Sequence, residues 1–280
     1  MSVELPETHI LTGQMGKVLL NRRIESYLLR DFEKLQKIGF INKDVRAFDQ
    51  LVDRVVESVQ SRGNVIVVKL NQDLNLILAP EYGGRIRYNS IGSPVPERFH
   101  LRLDFDDDAS FTVTLSGMGV IQVMKDNMLL QSYVYRRDFS EVADPLNEGE
   151  FKFERFSRQL GETRVNIKST IVGKDAFVVG LGNSAFQDIL YRARIYPKRK
   201  ASELREEEKQ AVFNAIRTMI HERIRLGGKD QFTDLYGNQG RYIPTMGPNM
   251  NGRTCSMCGM LIEKMNLGGG QVYFCPKCQK

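Results

Sequence analysis

The first half of the chain changes from a helical to a strand-like pattern of apolar positions. Residues 4–37 begin with acidic residues and continue with apolar positions at helical spacing, which predicts a helix. From about residue 52 to residue 135 the apolar runs are short and β-prone, and Gly, Pro, Asn and Asp separate them. These runs are Val65–Leu70, Leu74–Leu78, Phe111–Leu115 and Val120–Met124. The pattern predicts an antiparallel β-sandwich with flanking helices over residues 1–135.

The second half is predicted to be helical. Residues 136–150 are polar and are interpreted as a linker, and helical spacing dominates from residue 151. A long helix is expected after the N-cap residue Ser202, and Gly227-Gly228 should end it. We therefore predict an α+β multidomain chain, with a helical domain over 151–245 and a cysteine module over 246–280.

Composition and charge narrow the possible partners. Residues 191–280 contain 16 Lys and Arg against 8 Asp and Glu, whereas the first 190 residues contain 24 against 26. A basic C-terminal third indicates either a polyanion partner, nucleic acid above all, or a solvated basic face. No run of about 18 apolar residues predicts a membrane span, and the first residues do not resemble a secretory signal. A cytoplasmic monomer is expected.

The four cysteines all lie in the last 26 residues, in two Cys-x2-Cys pairs separated by 16 residues. Two such pairs can complete a closed tetrahedral site with no position left for a substrate water, so one structural Zn²⁺ ion is predicted. The alternative is two disulfides, which a reducing compartment disfavours. The predicted ligands are Cys255, Cys258, Cys275 and Cys278.

A glycine-rich turn, Gly180–Asn183, lies between two helical stretches. Glycines allow a tight turn, and the free amides at the start of the next helix can bind a phosphate group. A plain helix-to-helix corner is the alternative interpretation.

The order of these features resembles the formamidopyrimidine-DNA glycosylase/endonuclease VIII family. The resemblance is carried by the Gly180–Asn183 turn, Lys168 before it, Gly227-Gly228 after it, and the ending Phe274–Gln279. It implies a helix–two-turn–helix DNA-binding domain followed by a four-cysteine zinc finger, and duplex DNA, damaged or bent, as the partner. It also implies that Asn183, with Gly182, binds a phosphate beside the lesion, and that Lys168 faces the DNA backbone.

The beginning of the chain resembles the same family but lacks its nucleophile. Glu4–Glu7 matches the family's opening, in which the terminal proline attacks the damaged nucleotide and Glu4 corresponds to an acid/base carboxylate. Val3 stands at the proline position behind Ser2, whose amine would be the terminus after removal of Met1 and would lie about 3.5 Å out of place. Glu4 could instead cap or pack the first helix.

Other family positions are also changed. Arg62 aligns with the family's arginine, but Asn64 replaces the catalytic lysine two residues later, and Gly270 replaces an arginine that grips the lesion phosphate. Tyr82 stands where the family has a methionine that fills the space of the flipped base, and Met118 lies in the loop that should read the orphan base. Tyr82 or Met118 could act as a wedge, and Tyr82 could equally be core.

Three functions remain open from the sequence. The first is a repair protein that recognises damaged or distorted duplex DNA, with the family's glycosylase/AP-lyase chemistry lost or altered. The second is an active glycosylase, with or without lyase action, that uses the Ser2 amine or a water activated by Glu4. The third is a non-enzymatic RNA- or ribosome-binding factor.

Overall fold

The computed structural model describes residues 3–173 and 175–280. The chain forms two compact units: one runs to Ser140 and also contains Leu226–Arg241, and the other consists of Glu141–Arg225 and Tyr242–Lys280. No helix in the described ranges has the length and apolar character needed to cross a membrane.

The first unit is an antiparallel β-sandwich with helices, as predicted. Its elements are α1 (Leu5–Leu19), β1 (Ile24–Leu29), α2 (Phe32–Lys37), β2 (Val56–Arg62), β3 (Val65–Leu70), β4 (Leu74–Ala79), β5 (Arg85–Asn89), β6 (Leu101–Phe105), β7 (Ser110–Thr114), β8 (Val120–Lys125) and α3 (Tyr133–Asp138). The two four-stranded sheets have the orders β1-β6-β7-β5 and β2-β3-β4-β8, with antiparallel neighbours. Apolar residues of both sheets and of α1 form the main core.

The predicted helix over 4–37 is wrong between Leu19 and Phe32. There α1 ends, and Asn21 adopts a left-handed conformation, which turns the chain. Ile24–Leu29 then pairs with β6, for example Tyr27 opposite Leu103. In β1, an edge strand, only Ile24 is fully buried. The strand therefore lacks the alternation of buried and exposed side chains from which a strand could be predicted.

The segment 226–241, which the sequence pattern assigned to the helical domain, packs in the first unit. Phe232 and Leu235 belong to the core of the sandwich. The Leu235 N–H donates to Gln14 Oε1 of α1 at 3.0 Å, and the Lys229 N–H donates to Glu7 Oε1 at 3.1 Å. These contacts join the segment to the first helix.

In its described residues, the second unit contains four α-helices and a two-stranded ribbon. The helices and strands are α4 (Phe153–Glu162), α5 (Ile167–Ile171), α6 (Asn183–Ala193), α7 (Glu206–Arg225), β9 (Glu263–Leu267) and β10 (Gly270–Phe274). The prediction that Ser202 caps the long helix is wrong, because Ser202 lies in a short 3₁₀ turn and Leu204 is extended. Glu208 Oε2 instead accepts from the Arg205 N–H at 2.8 Å. As predicted, α7 ends just before Gly227, which has positive φ.

Candidate metal centre and nucleic-acid interface

The four cysteine sulfurs are gathered at one point of the ribbon. All four lie within 4.8 Å of one another. The Cys255–Cys278 and Cys258–Cys275 Sγ–Sγ distances are 3.8 and 3.5 Å. Bonds of about 2.3 Å at tetrahedral angles put two ligand sulfurs about 3.8 Å apart, whereas a disulfide needs about 2.05 Å. The arrangement therefore fits a tetrahedral metal ion.

Hydrogen bonds attach the metal ribbon to α6 and to the residues that follow it. Gln187 Oε1 accepts from the Tyr273 N–H at 2.8 Å. Gln279 accepts from the Cys275 N–H at 2.8 Å and donates to the Ile195 carbonyl at 2.9 Å. Neither glutamine was predicted from the sequence, because only the structure shows that these polar side chains are buried. These hydrogen bonds hold the cysteine ribbon against α6 and the residues that follow it.

Asn183 begins α6 and faces the hairpin. Gly180 has φ +74°, a conformation that favours glycine, and Gly182 is the N-cap residue in extended conformation. Asn183 Nδ2 donates to the Gln271 carbonyl at 2.8 Å, while its Oδ1 is buried without a hydrogen-bond partner among the described residues. The first turn of α6 thus has free N–H groups next to a side-chain amide that is fixed in position.

Lys168 lies on the other side of the same hairpin turn. Its side chain is 6% exposed, and Nζ donates to the Leu267 carbonyl at 2.5 Å. Burial lowers the pKa of Lys168 from its ordinary value. A Cβ placed at Gly268 would lie about 3.5 Å from Lys168, and one placed at Gly270 would lie 3.5 Å from Asn183. The structure therefore brings the two predicted phosphate ligands to one glycine turn.

The hairpin tip has a conformation that glycine supplies. Gly268 and Gly269 have φ values of +52° and +77°, in the left-handed region. Gly270, which stands where the family arginine is expected, pairs with Leu267 and carries no side chain. Position 270 therefore supplies no cation to this turn, beside which Lys168 and Asn183 lie.

The N-terminal position expected to be the nucleophile is an amide buried in the first unit. Val3 is 1% exposed, and its N–H donates to the Glu81 carbonyl at 2.6 Å. Glu4 is fully buried and is the N-cap of α1, where it forms a reciprocal capping box with Glu7. Ser2, the other proposed catalytic residue, lies outside the described residues.

A partly buried ion-pair network lies beside Asn64, which occupies the position of the missing lysine. The Asn64 N–H donates to Asp138 Oδ2 at 2.7 Å. Arg137 pairs with Asp138 at 2.5 Å and with Glu81 at 2.8 Å. Burial alone would lower the pKa of Arg137, but these two carboxylates raise it. This network was not predicted, because residues 136–150 were interpreted as a linker. Arg62 Nη2 donates to the Ser140 carbonyl of the same segment at 3.2 Å.

The two predicted wedge residues are exposed on neighbouring loops. Tyr82 lies between β4 and β5 and is 51% exposed, and Met118 lies between β7 and β8 and is 57% exposed. A Cβ at Gly117 would lie 2.8 Å from the Tyr82 Cβ, so the two loops touch. Tyr82 is therefore not a core residue.

Comparison with known proteins shows that most of the chain matches models of a single protein family. A family model described as the formamidopyrimidine-DNA glycosylase N-terminal domain matches residues 3–115, and one described as the formamidopyrimidine-DNA glycosylase H2TH domain matches residues 142–234. Similar curated proteins include formamidopyrimidine-DNA glycosylases of Ligilactobacillus salivarius (24% identical over 280 residues, 99% of this chain and 98% of the relative) and Heliobacterium modesticaldum (27% identical over 284 residues, 99% of each).

Solved structures give the same fold. A complex between the Lactococcus lactis Fpg and DNA containing an abasic site matches with a TM-score of 0.84 at 22% identity, covering 99% of this chain and 100% of that one. A structure of MutM with DNA containing carbocyclic 8-oxo-G matches with a TM-score of 0.82 at 22% identity and the same coverage. At this identity the likeness concerns the fold.

Proposed function

Because the chain belongs to the formamidopyrimidine-DNA glycosylase/endonuclease VIII family, we propose that it is a DNA-repair protein that binds damaged or distorted duplex DNA without the usual terminal-proline chemistry. Relatives of similar fold are described as complexes with abasic-site DNA and with lesion-containing DNA. The proposal has two parts, which are supported by different units of the chain.

The DNA-binding part is supported by the meeting of Lys168 and Asn183 at the glycine turn. A cation, a fixed amide and the N-terminus of α6 are suited to hold one phosphate group. Lys168 Nζ donates to the Leu267 carbonyl, and Asn183 Nδ2, which donates to the Gln271 carbonyl, carries a second N–H that can donate to a phosphate oxygen. This juxtaposition is the observation that carries the proposal.

We assign Zn²⁺ to the four cysteines. Four sulfur ligands in a tetrahedron with no open position are typical of structural zinc. The ion would hold the ribbon, and so would fix the glycine turn beside Lys168 and Asn183. Its contribution is to folding, and no catalytic step passes through it.

The altered chemistry is supported by Val3. Its nitrogen follows Ser2 and is an amide, which has no basic lone pair for attack on a sugar carbon. The same N–H donates to the Glu81 carbonyl, and Glu4 caps the N-terminus of α1. Asn64 brings no charge where the family lysine stands. The family's nucleophile and its cationic helper are thus both replaced.

A salt titration with a matched pair of variants tests the DNA-binding part. Dissociation constants for a duplex with a central abasic site are measured for the wild type, Lys168→Gln and Lys200→Gln between about 50 and 200 mM salt. Glutamine can still donate to the Leu267 carbonyl but carries no charge, and Lys200 is an exposed lysine of the same unit. Loss of one phosphate contact lowers the slope of log K against log salt by about 0.9.

We expect this decrease in slope for Lys168→Gln and an unchanged slope for Lys200→Gln. Equal slopes for all three proteins would contradict the phosphate role. A preference for structured RNA over the duplex in direct competition would support an RNA-binding factor instead. Release of a damaged base that Glu4→Gln abolishes would support a hydrolytic glycosylase that activates water through Glu4.

A further inference from the structure

One face of α6 carries side chains that contact the cysteine ribbon. Gln187, which accepts from the Tyr273 N–H, and Tyr191 are four residues apart on α6, so they lie on the same side of the helix. Tyr191 is 5% exposed and belongs to a small apolar cluster that contains Cys255 and Cys275. A buried hydroxyl without a hydrogen bond is costly, so the Tyr191 hydroxyl needs a partner inside this cluster.

The Tyr191 hydroxyl contacts a predicted metal ligand. Its oxygen lies 3.2 Å from Cys255 Sγ and 3.2 Å from Ser256 Oγ. A cysteine that binds a metal ion is a thiolate without a proton, so in the metal-bound protein the hydroxyl donates and the sulfur accepts. The hydroxyl oxygen keeps acceptor lone pairs, and Ser256 can therefore donate to the same oxygen. Hydrogen bonds in such a chain strengthen one another.

This contact distinguishes Cys255 from Cys275, the first cysteine of the second Cys-x2-Cys pair. Each of these two sulfurs accepts hydrogen bonds from two backbone N–H groups of its own turn, which are those of Met257, Cys258, Lys277 and Cys278. Within the described residues, the Tyr191 hydroxyl is the only side-chain O–H or N–H group that donates to any of the four cysteine sulfurs. The turns account for the backbone donors, whereas the hydroxyl comes from α6.

We propose that Tyr191 is a positioning residue of the metal centre, whose hydroxyl holds the Cys255 thiolate in its ligand position and stabilises its negative charge. A hydrogen bond to a charged acceptor is stronger than one between neutral groups, and here it stabilises the form of cysteine that binds the ion. The inference rests on the Zn²⁺ assignment made above and is independent of the DNA-binding part of the proposed function.

Two tyrosine-to-phenylalanine variants of the full chain test the proposal. Tyr191→Phe removes only the hydroxyl beside Cys255. Tyr273→Phe is the matched control, because Tyr273 is 6% exposed in the same cluster and its hydroxyl donates to Gln271 Oε1 at 3.3 Å. The affinity of each protein for Zn²⁺ is measured by competition with a chromophoric chelator. We expect a loss of about tenfold for Tyr191→Phe, at the lower end of the effect of removing an outer-shell partner, and no change for Tyr273→Phe.

Cobalt(II) substitution supplies a second measurement that looser packing does not change. The sulfur-to-cobalt charge-transfer band reports the transfer of a thiolate lone-pair electron to the metal, and a hydrogen bond stabilises that lone pair. The band of Tyr191→Phe should therefore shift to lower energy, whereas the band of Tyr273→Phe should coincide with that of the wild type. The d–d bands, which report tetrahedral geometry, should be the same in all three proteins.

Equal Zn²⁺ affinities and identical charge-transfer bands for Tyr191→Phe and the wild type would overturn the role of the hydroxyl while leaving the metal site intact. A weaker affinity with an unshifted band would also overturn it, because the effect would then be one of packing. Failure of the wild type to bind either metal ion would instead refute the Zn²⁺ assignment, and this inference with it.

Discussion

Glu7 is predicted to be the most sensitive position of the first helix. Its Oε2 accepts from the Glu4 N–H and its Oε1 from the Lys229 N–H, each at 3.1 Å, and all three residues are at most 5% exposed. Glu7→Ala leaves two buried N–H groups without these acceptors. Each costs about 1–3 kcal/mol, so the free energy of unfolding should fall by about 2–6 kcal/mol. Glu7→Gln keeps one acceptor oxygen and should lose roughly half as much.

Urea unfolding followed by far-ultraviolet circular dichroism measures this loss, since the chain contains no tryptophan. The control is Glu33→Ala, an exposed change on α2 that should stay within about 0.5 kcal/mol of the wild type. Hydrogen exchange of the α1 amides should accelerate in Glu7→Ala. A Glu7→Ala variant as stable as Glu33→Ala would refute the view that this carboxylate joins α1 to segment 226–241.

Three further outcomes are expected. Chelation, or Cys275→Ser, should abolish hydrogen-exchange protection of the β9–β10 hairpin, because metal binding supplies folding energy to so small a ribbon; retained protection would contradict a structural metal. Burial lowers the pKa of His100, whose Nδ1 accepts from the Leu115 N–H at 2.8 Å. As pH falls, His100 is therefore protonated at a higher pH in the unfolded chain than in the folded chain. The free energy of unfolding should decrease as pH falls below about 6.5. His100→Gln should weaken that pH dependence, and an identical pH profile would exclude His100 as its source. Gly269→Val, at φ +77° with open space around its Cβ, should destabilise the hairpin by about 1–2 kcal/mol, measured by metal competition; an unchanged metal affinity would show that the turn tolerates a side chain.

The sandwich and the metal ribbon could be predicted because their signals are local. The spacing of the cysteines alone defines the ligand set, and the apolar runs at Val65–Leu70 and Leu74–Leu78 coincide with strands β3 and β4. The strand β1 gave no such signal, because an edge strand with one fully buried residue lacks alternation. Segment 226–241 packs on α1, more than 200 residues away in the chain, and no local pattern reports such a contact.

The candidate site was only partly accessible from the sequence. The turn that holds Asn183 could be found from its glycines, and Lys168 from the family resemblance. Arg137 was not predicted, because residues 136–150 were interpreted as a linker and its partner Glu81 lies 56 residues away. Roles that depend on long-range contacts need coordinates.

Replacement of the N-terminal nucleophile is the central claim, and borohydride trapping on an abasic-site duplex tests it most directly. Binding is measured on the same duplex in parallel. We predict salt-sensitive binding without a covalent adduct. No adduct is expected because the Val3 nitrogen is an amide whose N–H donates a hydrogen bond to the Glu81 carbonyl. A trapped adduct that disappears when the N-terminus is acetylated would show that a terminal amine forms a Schiff base, and would contradict the account.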